Sequence, residues 1–167
     1  EAAKIGSRRL LELVQKYSLE KIVNAFHDLM DYSERMMRDA IRALPDGEYS
    51  ATTKIDGYLD DPDPARRELA IKVTLKINGD SITVDLSGTA RQVDDKPINM
   101  PLVGTVDCSI WLTIRSILLD SVIYGSIPQN SGLTRPIKIM APAGCLVTPI
   151  FPAPVIARFC PGNQHAD

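Results

Sequence analysis

Apolar residues recur every three or four positions through the first 44 residues, which predicts two amphipathic helices. One face of the first helix would carry Leu10, Leu13, Val14 and Tyr17. Ser18 suits the N-cap of the second helix, and Tyr17 and Ile22 are spaced to form a hydrophobic staple across it. The second helix keeps its apolar spacing over residues 19–44, so at ~1.5 Å per residue it would extend roughly 39 Å.

Alternating apolar and polar residues predict strands after residue 45. Residues 49–55 fit a half-buried strand, and residues 69–77 and 82–86 fit two more on either side of Asn78-Gly79, a strong hairpin signal. With Asn78 and Gly79 as the two loop residues, Val73 would lie opposite Val84. One buried face would then carry Ile71, Val73, Leu75, Ile82, Val84 and Leu86.

The second half of the chain predicts one more helix and then irregular structure. Thr105 suits the cap of a helix over residues 105–120, which is apolar on nearly every side and is therefore expected to be buried. Seven prolines occupy residues 128–161 and exclude long regular elements there, with residues 136–140 as the best strand. The fold class is α+β, with two N-terminal helices, one of them long, an antiparallel sheet with a hairpin at Asn78-Gly79, a buried helix and a proline-rich irregular C-terminal segment.

Both ends of the chain read as cuts through a longer polypeptide. Helical periodicity is already running by Ile5 without an initial methionine, and residues 162–167 are mostly polar and lack a cap. We expect a helical region over residues 1–44 and an α+β region over residues 45–167, which together form one partial domain of a longer subunit.

Composition excludes several classes of protein. The 19 basic and 21 acidic residues give a net charge of −2 without a basic stripe, which argues against a nucleic-acid partner. No apolar run reaches the ~18 residues of a membrane helix. Three widely spaced cysteines form neither a disulfide framework nor a metal knuckle, so a reducing cytoplasm is the expected compartment.

A few polar groups are candidates for chemistry. Ser87-Gly88-Thr89 follows a strand and would present backbone N–H groups and two hydroxyls to an anion, although a plain strand-ending turn explains it equally well. With Asn99 and Asn163, Ser87 and Thr89 are the candidates for ligand contact. The catalytic residues are not identifiable from these patterns.

Other clusters favour structural roles. His27 and Asp31 are spaced to share a metal, but they lie on the polar stripe of the long helix. The acidic residues of 60–63 lack the spacing of a calcium loop. Cys108 and Cys145 fit small buried hydrophobic residues. Cys160 lies near Asn163 and His165, which would suit a thiol mechanism or simple local polar structure.

Six short motifs resemble the hydantoinase B/oxoprolinase family, which includes N-methylhydantoinase B and the large subunits of acetone and acetophenone carboxylases. They lie in this order at residues 6–13 (GSRRLLEL), 32–38 (YSERMMR), 44–49 (LPDGEY), 85–89 (DLSGT), 97–101 (PINMP) and 141–146 (APAGCL). Their order and spacing cover nearly the whole chain.

The resemblance implies an internal segment of a catalytic subunit in an ATP-dependent, multisubunit, cytoplasmic enzyme. Such subunits open cyclic amides such as hydantoins or oxoproline, or carboxylate small ketones, and ATP is bound by a hydantoinase A-like partner in a hetero-oligomer. The metal-binding His and Asp residues of carboxylase relatives precede Glu1, so no metal is expected in this segment, which would be inactive alone. Residues 163–167 differ from the Ser-Gln-Arg-type run of oxoproline hydrolases, which favours the carboxylase-like branch. The contrasting possibility is a non-catalytic assembly module of such a complex.

Overall fold

A computed structural model describes residues 1–119 and 125–155 of the chain. The architecture is α+β, as predicted, with helices packed on a four-stranded sheet. The helices are α1 (Ala2–Tyr17), α2 (Leu19–Arg42), α3 (Pro64–Arg67) and α4 (Asp107–Leu118). The strands are β1 (Gly47–Asp56), β2 (Glu68–Asn78), β3 (Ser81–Asp85) and β4 (Ile137–Met140). No helix in the described part of the chain is long and apolar enough to span a membrane.

The two N-terminal helices meet at Ser18, as predicted. The Ser18 hydroxyl accepts a hydrogen bond from the Lys21 backbone N–H at 3.5 Å and caps α2. Only the C-terminal part of α2 packs into the protein, where Ser33, Met37, Ala40 and Ile41 are buried. In contrast, α1 buries none of its residues, so α1 and the first half of α2 form an exposed helical arm, residues 2–30.

The sheet has the order β1-β2-β3-β4. The pairs β1–β2 and β2–β3 are antiparallel, but β3 and β4 run parallel. The prediction of an antiparallel sheet is therefore wrong for the fourth strand. The parallel arrangement requires a crossover connection, and the chain between β3 and β4 contains α4.

The hairpin lies at the predicted place, but its predicted register is wrong by two residues. Asn78 pairs with Ser81, so the loop is Gly79-Asp80 and Leu75, rather than Val73, faces Val84. Gly79 has a φ of 59°, which suits the first central position of a tight hairpin loop. A shift by two residues keeps every side chain on its predicted face. The buried members of that face are Ile71, Ile82, Val84 and Leu86, with Val73 and Leu75 half-buried.

Contacts from outside the hairpin explain this register. The Asp80 carboxylate accepts hydrogen bonds from Arg38 and Arg42 of α2, both at 2.9 Å. The Gly79 N–H donates to the Asp46 carboxylate at 2.9 Å. The loop is therefore held by charged residues that are distant in sequence, which turn-propensity rules do not include.

The helix α4 is less buried than its sequence predicts. Ile110 and Ile114 are buried, whereas Leu112 and Ile117 are 64% and 72% exposed. The predicted cap is also wrong: the Asp107 carboxylate, rather than Thr105, accepts the N–H groups of Gly104 and Cys108 at 2.8 and 2.6 Å. The main core lies between α4, the C-terminal half of α2 and the sheet, and includes Met37, Ile41, Val84, Leu86, Met100 and Val106.

Candidate functional site

Two loops leave the same edge of the sheet and form the largest polar feature of the described structure. The β3 loop, residues 87–101, follows β3, and the β4 loop, residues 141–155, follows β4. Because β3 and β4 are parallel neighbours, their carboxyl ends lie side by side. Backbone hydrogen bonds join the loops, from Leu146 N–H to Ala90 C=O at 2.8 Å and from Met100 N–H to Leu146 C=O at 2.8 Å. The loops therefore form one layer.

Thr89 attaches the β3 loop to the sheet. Its hydroxyl accepts from the Lys72 N–H and donates to the Lys72 C=O, both at 3.2 Å, and the residue is 8% exposed. The side chain therefore takes the place of a strand partner beside β2. Gly88 precedes it with a φ of 93°, a conformation that favours glycine.

Ser87 remains on the surface at the end of β3. Its N–H donates to the Asp85 carboxylate at 2.9 Å. Hydrogen bonds from the Ser87 side chain and backbone lower the pKa of Asp85, with smaller effects from Lys76 and Lys72. Asp85 is therefore held as a carboxylate at neutral pH.

Asn99 is fully buried and joins the two loops. Its Oδ1 accepts from the Val93 N–H at 2.8 Å, and its Nδ2 donates to the carbonyls of Val93 and Pro154 at 2.6 and 2.9 Å. Every part of the amide is thus engaged by backbone groups. The arrangement makes Asn99 a support for the loop layer and leaves its amide no free donor directed to a ligand.

Gln92 performs a similar task and was missed by the sequence analysis. Its Oε1 accepts from the Ile150 N–H at 2.7 Å, and its Nε2 donates to the Ile150 carbonyl at 3.3 Å and to Asp94 at 3.2 Å. A polar residue in a polar loop normally indicates solvent exposure, so no sequence pattern distinguishes Gln92. Only the approach of the distant β4 loop reveals its role.

A cleft of about 830 Å³ lies between the two loops. One wall is polar and consists of Arg91, Gln92, Asp94 and Asp95, and the other includes Gly144 and the run from Ile150 to Pro154. The Arg91 guanidinium and the Asp95 carboxylate have no hydrogen-bonding or ionic partner among the described residues. A forked donor and a free acceptor on one wall suit a compact ligand that carries both C=O and N–H groups.

The metal-like clusters have structural roles. His27 is exposed on the helical arm, and Asp31 accepts a hydrogen bond from Arg135 at 2.6 Å. Asp63 caps α3 by accepting the Ala65 N–H at 2.9 Å, as expected for a turn. Among residues 1–119 and 125–155, no three His, Cys, Asp or Glu side chains are grouped to hold a metal ion.

The described thiols are poorly placed for nucleophilic chemistry. Partial burial, and then the neighbouring Asp107, raise the pKa of Cys108, so it stays protonated at neutral pH. Cys145 is buried with its Sγ 2.9 Å from the Thr148 hydroxyl. Of the remaining candidates, Cys160, Asn163 and His165 lie outside the described residues.

Comparisons with known proteins give a consistent result. A model of the hydantoinase B/oxoprolinase family matches residues 1–167. The chain is 62% identical over 166 residues to the B subunit of a "Putative D-/L-hydantoinase" of Pseudomonas sp. (strain NS671), and the match covers 99% of this chain and 28% of that protein. It is 28% identical over 156 residues to the beta subunit of the caprolactamase of Pseudomonas jessenii, covering 92% of this chain and 24% of that protein.

Solved structures agree with these sequence matches. The crystal structure of the ATP-dependent caprolactamase from Pseudomonas jessenii matches with a TM-score of 0.79 and 25% identity, over 98% of this chain and 27% of that one. A nucleotide-free acetone carboxylase shares the fold, with a TM-score of 0.74 and 16% identity over 89% of this chain and 20% of that chain. The chain therefore spans between a fifth and three tenths of the length of these relatives.

Proposed function

The chain belongs to the hydantoinase B/oxoprolinase family, and we propose that it forms part of the B subunit of an ATP-dependent hydantoinase. The reaction would be the hydrolytic opening of the five-membered cyclic diamide ring of hydantoins. The observation that carries this choice is the 62% identity to the hydantoinase protein, against 28% to the caprolactamase protein. This reverses the preference for a carboxylase-like branch that residues 163–167 suggested.

The cleft between the loops supports a cyclic amide as ligand. A hydantoin ring alternates C=O and N–H groups, and the polar wall offers the Arg91 guanidinium to a carbonyl oxygen and the Asp95 carboxylate to an N–H. The wall formed by Ile150 and its neighbours would contact the ring substituent. We propose that Arg91 and Asp95 bind and orient the ring in this way.

The four residues predicted from the sequence have different places in this proposal. Thr89 and Asn99 are positioning residues, because their side chains hold the loops that form the cleft. Ser87 is the one with a surface position from which a ligand could be contacted directly. Asn163 stays a sequence-based candidate.

The nucleotide would be bound by a hydantoinase A-like partner subunit. The chain lacks a phosphate-binding loop with the required lysine, and the Thr89 hydroxyl faces Lys72 of β2. The described residues also offer no metal cluster that would fit a divalent ion. ATP use thus calls for a hetero-oligomeric complex, for which a cytoplasmic location is expected.

The experiment is a substrate panel with the complete B subunit and its partner. Hydantoin, caprolactam, and acetone with bicarbonate are incubated separately with ATP, and the products are measured by chromatography. We expect the N-carbamoyl amino acid from hydantoin, and Arg91→Ala should raise KM for hydantoin about tenfold or more by removing a charged hydrogen bond. Carboxylation of acetone without hydantoin turnover would rule out this assignment.

A second candidate is an assembly role for the helical arm, residues 2–30. The arm exposes apolar side chains on both helices, namely Ile5, Leu10, Leu11, Leu13, Tyr17, Leu19, Val23, Phe26 and Leu29. Such a continuous set of exposed apolar residues is typical of interaction surfaces. In this alternative the region 1–44 supports subunit contacts and the region 45–167 carries the cleft. Leu13→Glu should then abolish co-purification with the partner, whereas Lys16→Glu on the same helix should not.

A further inference from the structure

The outer edge of β1 is open to another strand. Among the described residues, no strand pairs with the side of β1 that faces away from β2. The strand has 10 residues, contains no proline, and pairs with β2 without a bulge. Proteins usually protect edge strands with prolines, bulges or short length, because the free N–H and C=O groups form a template for pairing. This edge lacks those protections, so it is suited to strand addition.

One face of β1 continues into an apolar groove. The groove has a volume of about 490 Å³ and lies between the sheet and α4. Its lining includes Tyr49, Ala51 and Thr53 from β1 and Ile110, Ile114 and Ile117 from α4. Tyr49 is 45% exposed and Ile117 is 72% exposed, so the groove is open on the side of the free edge. A strand added at this edge would extend the sheet and cover that side.

We propose that the edge of β1 pairs with the same edge of a second copy of the chain, antiparallel and with the two-fold axis at Ala51. The charges along β1 select this register. With the axis at Ala51, Glu48 lies opposite Lys54 of the second copy, and the mirror-related pair forms on the other side of the axis. With the axis at Thr52, Glu48 would face Asp56 of the second copy, which places like charges opposite each other.

The same register keeps the faces of the two sheets continuous. Tyr49 lies opposite the second copy's Thr53, and Ala51 lies opposite its own equivalent, so groove-facing residues meet groove-facing residues. Pairing about a point between Ala51 and Thr52 would place groove-facing residues of one copy beside polar-facing residues of the other. Small side chains at the axis also let the two strands approach.

Ion pairs already formed within the chain would extend across this contact. Lys76 lies 3.8 Å from both Glu48 and Asp85, and Lys54 lies 2.5 Å from Glu68. Pairing at Ala51 therefore creates a row of alternating charge, which runs from Asp85 through Lys76 and Glu48 to the second copy's Lys54 and Glu68. Two such rows flank the axis, because the contact is isologous.

A single cysteine at the axis tests the register. Ala51→Cys is introduced into the complete subunit with Cys108→Ser and Cys160→Ser, and the subunit is purified with its partner and oxidised. Directly opposed residues in antiparallel strands lie about 4.5–5.5 Å apart between Cα atoms, within the range of a disulfide. We expect a disulfide-linked homodimer of B subunits on a non-reducing gel.

Thr53→Cys in the same background is the matched control. The two copies of residue 53 would lie four residues apart along the strands, about 13 Å, which is too far for a disulfide. No homodimer is expected from this variant. Cross-linking of Thr53→Cys with Ala51→Cys unlinked would refute the register. Protection of both thiols in a complex that contains a single B subunit would show that another strand covers the edge and would overturn the proposal.

Charge reversal gives an independent test. Glu48→Lys and Lys54→Glu each place like charges opposite each other in a homodimer, so each variant alone should dimerise about tenfold more weakly. When the two variants are mixed, the lysine introduced at position 48 of one faces the glutamate introduced at position 54 of the other, and the dimer affinity should return in a heterodimer. Equal dimerisation of the single variants and the mixture, measured by sedimentation, would contradict the proposed contact.

Discussion

Replacing Asn99 by alanine tests whether this residue supports the loops or contacts a ligand. The side chain is fully buried and bonds to the Val93 N–H, the Val93 C=O and the Pro154 C=O. Asn99→Ala removes all three hydrogen bonds at once. It also leaves those backbone groups without a partner inside the protein.

The expected loss follows from the bonding pattern. Each intramolecular hydrogen bond contributes about 1 kcal/mol net, and a buried backbone group left unsatisfied costs about 1–3 kcal/mol. Water entering from the nearby cleft would satisfy part of this loss. We therefore expect the free energy of unfolding to fall by about 3–4 kcal/mol, which would raise the unfolded fraction by more than about a hundredfold.

Urea unfolding followed by circular dichroism measures this difference, and Asn99→Asp is the matched comparison. The aspartate variant would keep the bond from the Val93 N–H but would place a carboxylate oxygen against two carbonyls, so it should also be destabilised. A ligand-contact role makes the opposite prediction of unchanged stability with a raised KM. A loss below about 1 kcal/mol for Asn99→Ala would refute the supporting role.

Further predictions concern the core, the sheet connection, the charge network and metal content. Val84→Ala should cost about 1–3 kcal/mol in urea unfolding, because Val84 is 1% exposed, and a cost near zero would contradict its place in the core. Thr89→Val keeps the shape but orphans the N–H and C=O of Lys72, so a loss of about 1–3 kcal/mol is expected, and Thr89→Ser should recover most of it. Hydrogen bonds from Arg135 and then Arg38 lower the pKa of Glu34, so their stabilisation is present above the unfolded-state value of about 4.3 and is lost as the pH falls through the folded-state pKa. Glu34→Gln should therefore lower stability by about 1 kcal/mol at pH 7 and flatten the acid limb below about pH 4, and parallel acid limbs for both proteins would contradict this assignment. Elemental analysis of the purified 167-residue chain should find no stoichiometric metal, and tight equimolar metal would contradict the structural roles of its candidate ligands.

Local patterns predicted the elements that depend on nearby residues. The cap at Ser18 and the strand near residues 137–140 follow from side-chain preferences and spacing, and the structure has both. The hairpin register was not predictable in the same way. Asp80 is bound by Arg38 and Arg42 of α2, so the energy that selects the loop comes from residues about 40 positions away.

The candidate site was only partly predictable for the same reason. The sequence identified Thr89 and Asn99 as polar residues of interest, but not that their side chains bond to distant backbone groups. Asn99 contacts Pro154 across 55 positions, and Gln92 contacts Ile150 across 58. Such pairs form because β3 and β4 are parallel neighbours, and the predicted antiparallel sheet did not bring their loops together.

The most direct test of the proposed function is hydantoin-dependent release of ADP by the complete B subunit and its nucleotide-binding partner. ADP and N-carbamoyl amino acid are measured together while hydantoin is varied. The proposal predicts that both rise together with hydantoin, and that Arg91→Ala shifts both curves to higher hydantoin concentration. Ring opening that proceeds equally well without ATP, or ADP release that ignores hydantoin and responds to acetone with bicarbonate, would contradict it.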